Sequence, residues 1–380
     1  MILASGIGIP AAFFTIALPG MMRDGGASLM QIGLIYLVWL PSVLKFFWAP
    51  RVARFAANDR NRRRAVHLLT VAMALCFLPV AWLITLSSIL WLLPLAVLSA
   101  ALGLTLHLIL ADWCINSLDD RARGRANGLI AAGMVLGGVI GGGTVPALAQ
   151  SFGWAPVIWV LAGLIALTGL AGRALGDTKN LTPPEHVTLR GGARVFLFSE
   201  GRFLLAAVAL IASTGAVDMT LAARLVDAGF SPERAAIILG TIATILMTPA
   251  TLFAGYAVSR WNPASCFAAI GLSKAAILAA LSLLQQSSGI LIATLAVAEF
   301  VCAGALTVMT WQFYMARVDS KSGLTGFALL TSTDALFRLG LGIGAGLLGA
   351  AIGMGALFLT IAGLNLLTAI YIVRIWRQNA

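Results

Sequence analysis

The stretch "YLVWLPSVLKFFWAP", Tyr36 to Pro50, is apolar at every side chain except Ser42 and Lys45. In water it reads as a hydrophobic helix with one charge at its edge. In a bilayer the lysine costs about 3 kcal/mol or more unless something compensates it. Composition decides the solvent. The chain is 60% hydrophobic and 10% charged, with a mean hydropathy of +0.97, against about 25% charged residues in a soluble domain. A helix needs ~20 mostly apolar residues to cross the hydrocarbon, and this sequence supplies such runs repeatedly. It reads as an all-α polytopic membrane protein. The ten-residue alternation of a membrane β-barrel is absent.

The runs give twelve transmembrane helices, at 2–22, 30–53, 65–86, 89–117, 125–148, 154–174, 202–225, 232–258, 264–285, 289–316, 324–349 and 353–373. The first begins at Met1 without a basic leader and reads as a span rather than a cleavable signal. The net charge of +11 does not indicate nucleic acid, because the basic residues concentrate in alternate loops. Arg51, Arg54, Arg60, Arg62, Arg63 and Arg64 share one side with Arg121, Arg123, Arg125, Arg173, Lys179, Arg190, Arg194, Arg202, Arg260, Arg317 and Lys321, and with Arg374 and Arg377 of the C-terminal tail. The opposite loops hold only Arg23 and Arg234. The positive-inside rule then places both termini in the cytoplasm. Cys76, Cys114, Cys266 and Cys302 fall inside apolar runs without metal-ligand spacing, and no cofactor is expected.

The polar segment 176–200, with Pro183, Pro184, Gly191 and Gly192, divides the chain into an N-terminal half (1–175), a linker (176–200) and a C-terminal half (201–380). The halves echo each other. "RDGGASLMQIGLI" (23–35) aligns with "VDAGFSPERAAII" (226–238), placing Gly26 over Gly229 and Ser28 over Ser231. Each serine stands where a helix N-cap belongs. The loops at 119–128 and 319–327 give a second echo of the same sidedness. A parallel repeat of six helices is the major facilitator architecture, with its substrate site between the halves. Gly133, Gly137 and Gly141 recur every four residues, as do Gly342 and Gly346, a spacing that suits close helix packing.

"LPSVLKFFWAPRVAR" (40–54), "DGGASLMQIGL" (24–34) and "ADWCINSLDDRARGRANGL" (111–129) resemble signature segments of one major facilitator branch. That branch holds the muropeptide permeases and the inner-membrane siderophore permeases of the pyochelin and rhizobactin type. The compact length is similar to the siderophore type. Two positions depart from the pattern: Ala53 replaces an acid before the retained Arg54, and Gly133-Met134 stands where an arginine is common. The resemblance implies a monomer in the bacterial inner membrane, with spans one, four, seven and ten lining a central cavity.

Of the 25 basic and 14 acidic residues, eight fall within spans: Lys45, Asp112, Asp218, Arg224, Lys274, Glu299, Asp334 and Arg338. Intramembrane charges face the interior and pair. Asp334 and Arg338, four apart, share a helix face. At 1.5 Å per residue, Lys45, Asp112 and Asp334 share the cytoplasmic half of the bilayer, so Lys45 is expected to pair with Asp112 or Asp334 and, with Arg54, to act at a gate. Asp112, Asp218 and Glu299 are candidates for proton coupling or for structural charge pairs. Lys274 reads as a snorkelling side chain or a helix contact, and His107 as a hydrogen-bonding group with a proton relay as the alternative. Phe14, Tyr36, Trp39, Trp113, Trp311, Gln312 and Tyr314 are candidate substrate contacts through stacking.

These readings give a secondary transporter that imports a ferric-siderophore chelate by alternating access, driven by protons. A muropeptide permease or a drug or metabolite exporter of the same fold is the alternative. No nucleotide-binding loop is present. His67, His107 and His186 are scattered, and no hydrolase motif occurs, so an enzyme is not expected. The partners expected are the iron chelate, protons and the lipid bilayer, with no nucleic acid.

Overall fold

In lipid every backbone N–H and C=O must be satisfied within the protein, which leaves helices as the simplest solution for long apolar runs. The computed structural model describes residues 1–84, 91–117, 120–176, 201–284, 288–315 and 323–379, and these are helical almost throughout. Twelve helices among the described residues are long and apolar enough to cross a membrane: Ile2–Asp24, Leu29–Phe47, Asp59–Leu83, Leu92–Cys114, Leu129–Phe152, Trp154–Ala174, Arg202–Asp227, Pro232–Arg260, Pro263–Leu283, Gly289–Tyr314, Leu330–Ile352 and Met354–Trp376. They are spans 1 to 12 below. Of the expected linker, 177–200 lies outside the described residues.

The repeat expected from the loops is present in the backbone. Gly26 and Gly229 adopt φ of 83° and 91°, a region closed to most side chains. Ser28 then caps span 2 by accepting from the Gln31 N–H, completing a capping box, and Ser231 caps span 8 by accepting from the Arg234 N–H. Gly153 and Gly353 form a second matched pair of turns, with φ of 80° and 85°, that the loop comparison did not find. Packing repeats too. Span 1 lies on span 5 and span 7 on span 11; span 3 lies on span 6 and span 9 on span 12.

Spans 1 and 7 are the central helices: 78% and 83% of their apolar windows are buried, against 28% to 44% for the others. The halves meet along span 2 with span 11, span 5 with span 8, and span 1 with span 7. Spans 4 and 10 are not a packed pair among the described residues.

Span 2 departs from the expected continuous helix at 30–53. Its helix ends at Phe47, and a separate helix runs from Ala49 to Ala56. Within it, tight 3-10 turns occupy Leu34–Trp39 and Lys45–Phe47 around a short α-helical segment, Leu40–Leu44, that carries Pro41. Proline removes a backbone donor and crowds the preceding turn, which explains the break before Leu40. Three π-helical turns, Phe13–Ala17, Ile140–Thr144 and Ile237–Ala243, lie in spans 1, 5 and 8, and the last two pack against each other.

The glycine stripe of span 5 lies against span 1. A Cβ added at Gly133, Gly137 or Gly141 would run into the carbonyl oxygens of Met1, Ser5 and Ile9 respectively, a matching four-residue spacing. We therefore expect Gly137→Leu to destabilise the chain by about 1–3 kcal/mol or more, seen as a lowered melting temperature in detergent. Gly163→Ala, where an added Cβ meets nothing within 4 Å, should be neutral in the same assay.

Candidate functional site

At the end of the bundle with few basic residues, the halves are joined by an ion pair. Arg23 Nε donates to Asp227 Oδ1 at 2.7 Å and Nη2 to Asp227 Oδ2 at 3.0 Å. A forked arginine–carboxylate pair of this kind fixes orientation as well as charge. Arg23 Nη1 also donates to the Ala27 carbonyl, which holds the loop onto the same guanidinium. Span 1 and span 7 pack together just inside this pair.

Between spans 2 and 11 the seam carries aromatic and charged groups together. Gly33 and Gly346 bring the backbones close, and the Tyr36 ring occupies the space over Gly342. Tyr36 is buried, and its hydroxyl accepts from the Met219 backbone N–H at 3.4 Å. One turn on, the Arg338 guanidinium lies 5.5 Å from the centre of the Trp39 ring in the other half, a cation–π distance. Arg338 Nε donates to Asp334 Oδ1 at 3.0 Å, and Nη2 donates to Thr307 Oγ1 at 3.0 Å. Further toward the basic end, Lys45 Nζ donates to Thr331 Oγ1 at 2.8 Å, and Ser332 Oγ donates to the Ser42 carbonyl at 3.2 Å.

Lys45 is thus joined to the opposite half, but not as an ion pair with either expected acid. Asp334 attracts it electrostatically, yet its carboxylate is engaged by Arg338. Thr331, one turn before Asp334, is the direct acceptor. Sequence spacing puts the acid at the right depth and misses the intervening hydroxyl.

Within the C-terminal half, Lys274 and Glu299 form a fully buried ion pair between spans 9 and 10. Of the two readings of Lys274 this excludes snorkelling and leaves the helix contact: its ammonium is turned inward onto an acid of the neighbouring span. Glu299 Oε2 and Asp218 Oδ1 are buried without a hydrogen-bond partner among the described residues. Asp218 interacts electrostatically with both Arg338 and Lys274, so the acids of spans 7 and 10 and the cations of spans 9 and 11 belong to one cluster. Arg224 is buried near Asp227 and is also engaged.

Several expected substrate contacts lie elsewhere. Phe14 is packed among Phe13 and Phe77 in the core of the N-terminal half, with no open face. Trp311, Gln312 and Tyr314 do not form one wall, because consecutive helical residues point about 100° apart. Trp311 is exposed, Gln312 faces Gly255 of span 8, and Tyr314 is sealed in the C-terminal core. Trp113 donates its indole N–H to the Gly176 carbonyl at 3.0 Å, alongside the buried Arg62 at 2.7 Å. That clamp holds the end of span 6. Asp112 is half-buried and engaged, and Arg54 is exposed and engaged. Asp59 pairs with Arg62 at 2.8 Å, so it serves this clamp. Of the candidates, Tyr36, Trp39, Asp218, Glu299, Asp334 and Arg338 form the connected set. Among the described residues no group of three or more His, Cys, Asp or Glu side chains converges as a metal site.

Breaking a buried pair by removing one partner costs about 3–5 kcal/mol, whereas replacing both can be neutral. We expect Lys274→Met alone to lower thermal stability in detergent by that order, and Lys274→Met/Glu299→Gln to recover most of it. Equal losses in single and double variants would contradict the pairing.

Solved structures of the same shape include a mutant form of the nucleoside transporter NupG, at a TM-score of 0.75 and 14% identity, with 98% of each chain covered. A bacterial homologue of the human lysosomal transporter Spinster, in an inward-facing and occupied conformation, matches at 0.72 and 16%, covering 98% of this chain and 93% of that one. The peptide transporter PepTSo matches at 0.66 and 11%, covering 99% and 97%. At these identities the likeness concerns the fold. No curated protein sequence matches the chain. The model of the Major Facilitator Superfamily matches residues 1–336. With twelve apolar helices, paired halves and a polar seam between them, the chain belongs to the major facilitator superfamily and is a membrane transporter of that family.

Proposed function

We propose that the chain is a proton-coupled importer of a ferric-siderophore chelate, working by alternating access in the bacterial inner membrane as a monomer. The halves are 1–175 and 201–380, with 176–200 as the cytoplasmic linker. The loop arginines orient the basic end toward the cytoplasm. The Arg23–Asp227 pair then closes the periplasmic side, and access from the cytoplasm runs between spans 4 and 10, which are not a packed pair among the described residues.

The observation that carries this reading is the concentration of intramembrane charge at and beside the seam between halves. A carboxylate oxygen buried without a donor is costly to charge. Asp218 and Glu299 each hold one such oxygen among the described residues. The other Glu299 oxygen accepts from Lys274, and Asp218 as a whole is only partly buried. Movement of the halves that exposes these acids to one aqueous phase or the other therefore changes where they exchange protons. Trp39, half-buried at the seam with Arg338 over its ring, offers a flat ring and a cation to an aromatic chelate, while the buried Tyr36 supports the seam from within. The iron would arrive as part of the cargo. The siderophore assignment rests on the resemblance of the 24–54 and 111–129 segments to that permease branch.

Two measurements test the proposal. Cells relying on this chain should accumulate iron-labelled ferric pyochelin, and deletion should abolish accumulation; unchanged accumulation removes the cargo assignment. In proteoliposomes with an imposed proton gradient, Asp218→Asn and Lys274→Met/Glu299→Gln should each lower gradient-driven uptake at least tenfold while the protein stays folded. Full activity in both variants would remove the acids from the coupling mechanism.

A further inference from the structure

Three of the four cations placed within spans have their charge answered. Lys274 has Glu299, Arg338 has Asp334, and Arg224 is engaged beside Asp227. Lys45 is the exception. Among the described residues its hydrogen-bond acceptor is the neutral hydroxyl of Thr331, and it forms no ion pair with them. An ammonium carries three donors, so two are not used by this contact. The carboxylate that acts on it electrostatically, Asp334, is already held by Arg338.

A half-buried charge in this position is unfavourable unless something compensates it. The neighbouring His107 of span 4 lies within electrostatic reach of Lys45 and brings no negative charge. The Lys45 turn of span 2 packs against span 11 of the other half, and the lysine is half-buried rather than sealed. Trp39 lies six residues before Lys45 on the same span, half-buried at the seam with the Arg338 guanidinium over one face of its ring.

We infer that Lys45 is the receptor for an anionic group of the cargo, a carboxylate attached to an aromatic body, with Thr331 as its placeholder when the site is empty. The two remaining donors grip the carboxylate, and the aromatic portion extends toward Trp39. Lys45 is therefore a specificity-determining contact rather than a latch between the halves. This rests on the transport reading above but not on the cargo containing iron.

The test uses the purified full chain with salicylate and the neutral salicylamide as probes, followed by tryptophan fluorescence. Wild type should bind salicylate at least tenfold more tightly than salicylamide. Lys45→Gln should erase that preference, Lys45→Arg should keep it, and Thr331→Val, which leaves the ammonium without its hydroxyl, should bind salicylate at least as well as wild type. A wild type that fails to discriminate, or a discriminating Lys45→Gln, overturns the assignment. Uptake of labelled ferric pyochelin in the same preparations separates the two claims. Discrimination without uptake keeps the anion site and removes the iron cargo. Uptake without discrimination keeps the importer and removes the site.

Discussion

The cost of placing charge in hydrocarbon governs the rest of this structure. A lipid-facing ion has no water to offset its desolvation, so each intramembrane charge must be turned inward and given a partner. That requirement draws spans 7, 9, 10 and 11 around Lys274, Glu299, Asp218, Asp334 and Arg338. It also couples the cluster to the opposite half, because the Arg338 guanidinium lies over Trp39 and the Tyr36 hydroxyl meets the backbone beside Asp218.

Close approach of the helices is a separate condition, met by small residues. In lipid there is little hydrophobic drive between helices, and association relies on packing and on polar contacts. Gly33, Gly342 and Gly346 let span 11 settle on span 2, and Gly142 and Gly240 let the π turns of spans 5 and 8 meet. A π turn leaves an i−4 carbonyl without its usual donor. Thr144 and Thr244 donate to the carbonyls of Val139 and Leu239, five residues back, which steadies both turns. The seam thus combines tight backbone contact with polar side chains, an interface able to hold two alternative packings.

Much of the fold was legible because apolar run length, loop charge and capping residues act locally. Ser28 and Ser231 state their capping roles in the sequence, whereas the left-handed turns at the aligned Gly26 and Gly229 came from the structure, and the four-residue glycine spacing states a helix contact. The site was less legible because partners across the bundle are set by helix rotation, which periodicity fixes only within one span. Hence Asp334 and Arg338, four apart, could be joined on paper, whereas Lys274 with Glu299 and Lys45 with Thr331 could not. The aromatic run 311–314 misled for the same reason: adjacency in sequence disperses side chains around a helix.

The paired closure at Arg23 and Asp227 and the polar seam behind it are one arrangement of the two halves, and the proposed alternating access requires a second. The most direct test is the distance between spin labels at Met30 and Arg234, both exposed at the Arg23 end, in proteoliposomes with and without a proton gradient and cargo. The account predicts two distance populations, the shorter matching this structure and the longer growing as the Arg23 end opens. A single distance, unchanged under every condition, would contradict alternating access between these halves.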